Sequence, residues 1–308
     1  MRLSLVGALG ASVGLCALAA CVPADEALRL GSVQFSFRVS ERTQEGVDAT
    51  ETLDGWSIRF ERTVLGFKTM TIGQIGVPDV CSYRGRGAES DIVFDPRFGA
   101  VQTFNGIQPV ECPDVGIIFG PPGAETTLGA GVTSKDLVDL ASGVPAHAII
   151  EAVASREALG SREPETLRIV LRFDSTRTST RFGGCRAAAR GVRVLEGERD
   201  QVSVRLAAEH LFRDAIAPGS GLRVEPFALA GRNGDGDDVV TMAELDGLRL
   251  NRIPFGGDYQ IPNGISTDTF GDYVRVLFRF AFMFRNEDGL CVGNEPGSEE
   301  GGQAPPEP

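Results

Sequence analysis

Apolar and polar residues alternate along several stretches of the chain, and this period of two is typical of β-strands with one buried face. In the clearest example Val33, Phe35 and Phe37 alternate with glutamine, serine and arginine. Further stretches of this kind, or of continuous apolar character, lie at 56–61, 115–119, 146–153, 167–174 and 201–206. The connections are rich in Gly, Pro, Asp and Asn, and strands do not alternate regularly with helices. The pattern predicts a mainly β domain over residues 31–291, as an antiparallel β-sandwich or a barrel-like sheet with a few short helices.

Helical periodicity is confined to short segments in the last third of the chain. Residues 207–214 predict one or two helical turns, and residues 241–248 predict a short helix. Apolar residues then follow the spacing of one helix face, and alternating phenylalanines come after them. We therefore expect a helix to about Leu277 and a strand from there to Arg285. The acidic segment 292–308 is rich in Gly, Pro and Glu and is expected to be disordered.

The N-terminus has the pattern of an exported protein. Arg2 supplies one positive charge, and residues 3–20 carry no charged side chain and are rich in Leu, Ala, Gly and Val. Such a stretch is long enough to span a bilayer. The small residues at its end favour a signal peptide instead. We therefore predict a signal peptide over residues 1–20 and a short tether over 21–30, with an N-terminal anchor helix as the alternative.

The predicted signal peptide ends in an aliphatic residue, two small residues and a cysteine, Leu18-Ala19-Ala20-Cys21. This sequence resembles the lipobox of bacterial lipoproteins. The resemblance implies cleavage before Cys21, attachment of diacylglycerol to its sulfur, and anchoring of the protein in a membrane of the bacterial cell envelope. Cys16 does not fit the lipobox, because a leucine directly precedes it. Val22 follows where aspartate retains enteric lipoproteins at the inner membrane, so the outer membrane is favoured over the inner.

An even number of cysteines in an exported chain predicts disulfide bonds. Apart from the two in the N-terminal segment, the cysteines are Cys81, Cys112, Cys185 and Cys291. Four cysteines allow three pairings. We favour Cys81–Cys112, because both lie beside strand-like stretches only about thirty residues apart. Cys185–Cys291 is then the second pair, and four free, buried thiols are the alternative.

One short segment carries a motif with defined chemistry. Residues 233–244 read Asn-Gly-Asp-Gly-Asp-Asp-Val-Val-Thr-Met-Ala-Glu. This segment resembles the twelve-residue EF-hand calcium loop, which also occurs in dockerin-type repeats of secreted proteins. Calcium is a hard cation that takes six to eight oxygen ligands, and the EF-hand loop supplies them from alternate positions. The resemblance implies the following ligands: the side chains of Asn233, Asp235, Asp237, Thr241 and Glu244, and the main-chain carbonyl of Val239.

The segment departs from the EF-hand pattern at two positions. Asn233 replaces the usual first aspartate, which removes one negative charge, and Asp238 replaces the glycine that makes the sharp turn. We therefore expect weak to moderate affinity, on the order of the 10⁻⁴–10⁻³ M that extracellular modules show. A single loop cannot form the paired calcium sensor, so a structural role for calcium is expected. The alternative interpretation is a solvated acidic turn.

Charge and composition exclude several classes of function. The formal charge is −12, which argues against a protein that binds nucleic acid. The chain has only two histidines, which argues against zinc hydrolases and multi-histidine copper or iron sites. The G-x-S-x-G motif of serine hydrolases is absent from the sequence.

These observations predict a cell-envelope lipoprotein that is not an enzyme. We expect a binding or structural module with one calcium-stabilised loop, held at the membrane by its lipid, with an envelope protein or a glycan as its partner. The alternative is an envelope hydrolase acting on glycan or peptide through carboxylates that the sequence does not locate. Two carboxylates about 5–9.5 Å apart in a deep cleft would support that alternative.

Overall fold

The described part of the chain is mainly β-structure with short helices. The computed structural model describes residues 29–73, 83–85, 91–107, 109–112, 114–158, 163–187, 192–217, 219–253, 259–260, 267–285 and 289–293. The strands are β1 (Gly31–Val39), β2 (Ser57–Gly73), β3 (Tyr83–Gly85), β4 (Ile92–Phe94), β5 (Ala100–Ile107), β6 (Val110–Cys112), β7 (Asp114–Phe119), β8 (Thr127–Leu128), β9 (Ala146–Arg156), β10 (Glu165–Asp174), β11 (Arg181–Ala187), β12 (Val192–Val194), β13 (Arg199–Leu206), β14 (Val239–Thr241), β15 (Phe282–Phe284) and β16 (Gly289–Gly293). The helices are α1 (Glu41–Glu45), α2 (Ser134–Ala141), α3 (Glu225–Asn233), α4 (Met242–Gly247) and α5 (Phe270–Phe278), and 3-10 turns lie at Pro96–Phe98, Ala208–Phe212 and Leu250–Arg252.

One large, strongly curled sheet of half-barrel form contains almost all the strands. Its main path runs β14-β10-β9-β2-β7-β11-β16-β15-β13-β1-β5, while β6 and β12 pair separately. The structure thus differs from the predicted antiparallel sandwich, and its half-barrel form is closer to the barrel-like alternative. The sheet is single and mixed, because β1–β13, β10–β14 and β4–β8 are parallel pairs. Alternation along a strand reports which face is buried but not the direction of its neighbour, so these pairs could not be predicted.

The inner face of the sheet, which packs against α3, α4 and α5, holds a core rich in phenylalanine. On β1 the buried positions alternate, and Val33, Phe35 and Phe37 are at most 2% exposed. The last residue of α5, Phe278, stacks on Phe173 of β10 with ring centres 4.0 Å apart. Fully burying an aromatic side chain of this size stabilises the folded state by about 2–3 kcal/mol. The C-terminal end of helix α5 therefore packs against the sheet.

The opposite, outer face carries a smaller apolar cluster under α2. Ile149 of β9 and Leu140 of α2 belong to it, whereas the neighbouring Ile150 belongs to the main core. Strand β9 is therefore buried on both faces, which accounts for its continuous apolar run. The guanidinium of Arg62 also ties α2 to the sheet, since it donates to Glu151 at 2.6 Å and to Asp139 at 2.8 Å.

Most predicted elements in the last third of the chain are confirmed. The segment predicted at 241–248 forms helix α4, and the one predicted to end near Leu277 forms α5, followed by strand β15. The turns predicted at 207–214 form a 3-10 turn. Within the described residues no helix has both the length and the apolar character needed to cross a membrane. Residues 294–308, which include most of the predicted tail, lie outside the described residues.

One of the two predicted disulfides is confirmed. Cys185 of β11 and Cys291 of β16 are bonded, although they are 106 residues apart in the chain. Both cysteines are fully buried, and their strands are neighbours in the sheet. Cys112 is the last residue of β6, but Cys81 lies outside the described residues, so the predicted Cys81–Cys112 pair stays a prediction.

The histidine His147 of β9 is fully buried beside this core. Its ring centre lies 5.8 Å from that of Phe278. Burial lowers the pKa of His147 to about 4, although Asp174 and the main chain of Ser179 act in the opposite direction. An imidazole that stays neutral in the folded state but titrates near 6.5 in the unfolded chain makes stability depend on pH.

We predict that acid destabilises the protein partly through His147. As the pH falls below about 6.5, the unfolded chain binds a proton that the folded chain does not, so stability is full above pH 6.5 and declines toward pH 4. The imidazole of His147 accounts for about 3 kcal/mol of this decline in the free energy of unfolding. Urea unfolding between pH 4 and 7.5 should show a flatter dependence in His147→Leu than in the parent. Identical slopes in the two proteins would contradict the prediction.

Candidate functional site

The predicted calcium segment 233–244 lies between two helices. Asn233 is the last residue of α3, and Met242 is the first residue of α4, with β14 between them. A helix, a loop with a short strand, and a second helix follow one another in this order. This is the order expected of a helix–loop–helix calcium motif, with the exit helix beginning inside the twelve-residue segment.

Helix α3 is fixed at its N-terminal end by Asp54. One oxygen of this carboxylate accepts hydrogen bonds from the main-chain nitrogens of Val224 and Glu225, each at 2.7 Å. These N–H groups have no partner within the helix, so Asp54 satisfies them. Burial raises the pKa of Asp54 even though these two hydrogen bonds act to lower it. The start of α3 is thereby held against the loop before β2.

The side chain of Glu225 ties the same end of α3 to the sheet. It accepts a hydrogen bond of 2.7 Å from Arg156 of β9 and another from Arg232 of α3. Burial acts to raise the pKa of Glu225, but the hydrogen bonds from Arg232 and Arg156 outweigh it and lower the pKa. The guanidinium of Arg156 lies 4.4 Å from the ring centre of the buried Trp56. These contacts fix the N-terminal end of α3, and the predicted calcium segment begins at the other end of this helix.

The middle of the segment is attached to the edge of the large sheet. The main-chain nitrogen of Arg168 donates to the carbonyl of Asp238 at 3.0 Å. Strand β14 continues this pairing in parallel with Arg168–Val170 of β10. Val240 is 1% exposed and packs into the main core. The side chain of Val240 therefore gives the loop a second point of attachment.

The exit helix α4 is capped by residues of the segment itself. The Thr241 nitrogen and hydroxyl donate to one oxygen of Glu244, at 2.7 and 2.9 Å. Arg275 of α5 holds the other end of α4 through two hydrogen bonds to Asp246, at 2.6 and 2.9 Å. Arg275 is 7% exposed. A bidentate pair of this kind fixes orientation as well as distance. Helix α4, which follows the loop, is therefore also held in place.

The predicted ligand side chains are only partly brought together. Thr241 and Glu244 are in contact, whereas the carboxylates of Asp235 and Asp237 accept hydrogen bonds from main-chain nitrogens two residues further on. Within the described ranges, no three His, Cys, Asp or Glu side chains are grouped as a metal site requires. The second oxygen of Glu244, Oε1, is buried and has no hydrogen-bond partner among the described residues. A buried carboxylate oxygen without a partner is unfavourable unless a donor or a cation meets it.

The backbone of the segment makes a left-handed turn at Asp238, a residue whose Cβ makes this turn unfavourable. Asp238 has a φ of +60°, in the left-handed region that glycine adopts most readily. This is the sixth position, where the EF-hand pattern has glycine. Gly234 lies so close to Glu244 that an added Cβ would overlap the carboxylate. A left-handed turn therefore forms at this position with aspartate in place of glycine.

The oxygen atoms of the segment are of the chemical types that calcium binds. Carboxylate, hydroxyl and carbonyl oxygens are the ligands that a hard cation prefers. The unpartnered Oε1 of Glu244 is the observation of this structure that fits a bound cation. The local hydrogen bonds of Asp235 and Asp237 are the observation that does not.

The residues that hold the loop in place were not predicted. Asp54, Arg156 and Arg275 lie far from the segment in the chain, and Asp246 lies just beyond it. A single sequence carries no signal for such pairings, because the partners of a charged side chain depend on the tertiary fold. Cys21, the predicted lipidation site, lies outside the described residues.

Comparisons of the chain with protein-family models, with curated proteins and with solved structures give no match.

The positive φ at Asp238 gives a testable prediction. Replacing Asp238 by glycine removes the strain of a Cβ in the left-handed region, whereas alanine keeps the strain and loses the local polar side chain. Asp238→Gly should therefore be more stable than Asp238→Ala by about 1 kcal/mol in urea unfolding. The reverse order would show that residue 238 does not adopt this turn in solution.

Proposed function

We propose that this chain is a bacterial cell-envelope lipoprotein whose β domain is a non-enzymatic binding or structural module stabilised by calcium. The observation that carries the calcium proposal is the unpartnered Oε1 of Glu244, in a segment that resembles an EF-hand loop. The three attachments of this segment, through Asp54, the β10 edge and Arg275, support the proposal, because a loop with fixed ends loses less entropy when it closes around an ion.

The proposed ligands are those of the predicted motif. The side chains of Asn233, Asp235, Asp237, Thr241 and Glu244 and the carbonyl of Val239 would hold the cation. Calcium supplies positive charge to which these oxygens can bind, and it takes no part in a reaction here. An ion that binds only the folded chain adds its binding free energy to the stability of that chain.

Membrane attachment through Cys21 is the second part of the proposal. The support for it is the lipobox at 18–21 behind an uncharged apolar stretch. Two or more acyl chains give stable anchoring where a single one is marginal. Residues 22–30 then form the tether between the anchor and β1, and the outer membrane remains the favoured location.

Binding is preferred to hydrolysis because of where the acidic residues of one surface cleft lie. Glu41 and Glu45 line a cleft beside α1, and both are exposed. A catalytic acid needs a pKa raised by burial or by a close like charge. Glu41 and Glu45 are exposed side chains on one short helix, so neither is buried as such an acid is. The envelope hydrolase remains the alternative proposal.

We predict that calcium stabilises the purified full chain. At about 2 mM calcium, an affinity in the expected range raises the free energy of unfolding by about 0.6–1.8 kcal/mol relative to EGTA. Glu244→Gln should abolish this gain, because it removes a ligand charge but keeps an oxygen for capping Thr241. Asn233→Asp should increase the gain, because it restores the missing carboxylate. Urea unfolding of the parent, Glu244→Gln and Asn233→Asp, each in calcium and in EGTA, measures these differences in the free energy of unfolding.

The matched control is Glu157→Gln, since Glu157 is an exposed glutamate outside the loop. It should respond to calcium as the parent does. A parent whose free energy of unfolding is the same in calcium and in EGTA would refute the calcium site. A gain that survives in Glu244→Gln would place the ion elsewhere.

We predict that Cys21 is acylated in a bacterial host. Labelling cells with radioactive palmitate should mark the parent and the Cys16→Ala variant, but not Cys21→Ala. Cys16 is the control because it lies in the same apolar segment without fitting the lipobox. Label retained in Cys21→Ala, or absent from the parent, would refute the lipoprotein assignment.

A further inference from the structure

Strand β5 forms one end of the large sheet and has an accessible edge. Among the described strands its only partner is β1, with which it pairs antiparallel. Every second residue of such a strand directs its main-chain N–H and carbonyl groups away from its one neighbour. Val101 and Asn105 of β5 are exposed, so solvent reaches both halves of the strand. A row of such main-chain groups can pair with a further strand.

The opposite end of the sheet is protected from such pairing, whereas β5 is not. Strand β14 at that end has only three residues, and it directly follows the acidic stretch 235–238. Short length and charge are two of the means by which proteins prevent pairing at an edge. Strand β5 has eight residues, Ala-Val-Gln-Thr-Phe-Asn-Gly-Ile, with neither a charged residue nor a proline. Its register with β1 shifts only beside Gly106, close to its end, so the strand is regular up to Asn105.

The outer face of the sheet beside this edge is uncharged at its centre. Thr103 of β5, Gln34 of β1 and Gln201 of β13 are register partners across three strands. The Gln34 amide donates to the Thr103 hydroxyl at 3.5 Å. Copies of a protein with a net charge of −12 repel one another at long range. An uncharged edge is therefore a place where two copies can approach with little repulsion.

Exposed apolar side chains lie near the two ends of the edge. Val101, near the start of β5, and Leu30, just before β1, are each 53% exposed. A Cβ added at Gly106 would lie 3.9 Å from the side chain of Leu30. Leu30 therefore lies beside Gly106, near the end of β5. Because glycine has no side chain, β5 itself does not separate Leu30 from a strand added at the edge.

An antiparallel copy of β5 matches these features. In a pair of identical antiparallel strands related by a twofold axis, the central residue lies opposite its own copy. With Thr103 at the centre, Val101 of one copy lies opposite Asn105 of the other. The next position along the second copy is Gly106, beside which its Leu30 lies. Each exposed apolar side chain at the edge is thus placed beside one from the other copy.

We propose that the β5 edge is a homodimer interface, in which β5 pairs antiparallel with β5 of a second copy of this chain. The pairing joins the two curled sheets into one continuous sheet. Main-chain hydrogen bonds hold the strands together, and the contacts between Leu30 and Val101 fix their register. The interface is small, so the dimer is weak, with a Kd in the micromolar range. The proposal depends neither on the calcium loop nor on the lipid anchor.

The first test is the mass of the full chain, measured by sedimentation velocity in detergent with micelles in excess over protein. The parent should be mainly dimeric at about 100 μM and mainly monomeric at about 1 μM. Thr103→Lys should raise the Kd of the dimer at least about tenfold, because it places two like charges directly opposite each other.

The matched control is Gln201→Lys. Gln201 is exposed and lies in the same register row as Thr103, but two strands away from the edge. The variant adds the same charge to the protein, and it should dimerise as the parent does. Thermal unfolding of both lysine variants checks that the fold is unchanged.

The second test locates the contact by cross-linking. Thr103→Cys places two thiols opposite each other in the proposed dimer, so oxidation in air should produce a disulfide-linked dimer. Gln201→Cys holds its thiol away from the edge and should give at least about tenfold less of this product. The parent, treated in the same way, measures any cross-linking through its own cysteines.

Several outcomes would overturn the proposal. One is a parent that stays monomeric at about 100 μM, which would leave the edge without a second copy as its partner. Another is a folded Thr103→Lys variant that dimerises as tightly as the parent. Equal cross-linking of the two cysteine variants, or no more dimer from Thr103→Cys than from the parent, would also refute it. The cysteine variants decide the question even if Thr103→Lys does not fold.

Discussion

Coverage of the inner face of the curled sheet is the constraint on which the rest of this structure depends. A curled sheet with a phenylalanine-rich face must bury it, and α3, α4 and α5 do so. The ring of Phe227 of α3 meets that of Phe270, the first residue of α5, edge to face with centres 5.0 Å apart, while Phe278 reaches β10 from the other end of the same helix. The calcium segment is the connection between two of these covering helices, so the packing of the core determines where it lies.

Burial of the helices creates a second requirement, which is to satisfy their ends and their charges. Asp54 meets the first N–H groups of α3, and Arg275 joins α5 to α4 through Asp246. Removing one partner from such a buried pair leaves an uncompensated charge and costs more than an exposed ion pair contributes. These contacts orient the segment. Calcium would add a closing contact between helices that are already in place.

The sequence predicted the local elements better than their arrangement. Alternation identified β1, and periodicity identified α4 and α5, because each depends on residues close together in the chain. The parallel β1–β13 pair was not predicted, and it is this pair that places Arg38 beside Arg205. The resemblance to a calcium loop rests on twelve residues and stays a prediction, whereas the cleft beside α1 could not be predicted, since it depends on residues distant in the chain.

The calcium loop is tested most directly by a crystal structure of the full chain grown with calcium. We predict one ion at about 2.3–2.6 Å from its ligands, which are the side chains of Asn233, Asp235, Asp237, Thr241 and Glu244 and the carbonyl of Val239. In that structure the carboxylates of Asp235 and Asp237 turn from the main-chain nitrogens toward the ion. A loop that holds no ion, with Oε1 of Glu244 still buried and unpartnered, would contradict the proposal that calcium stabilises this fold.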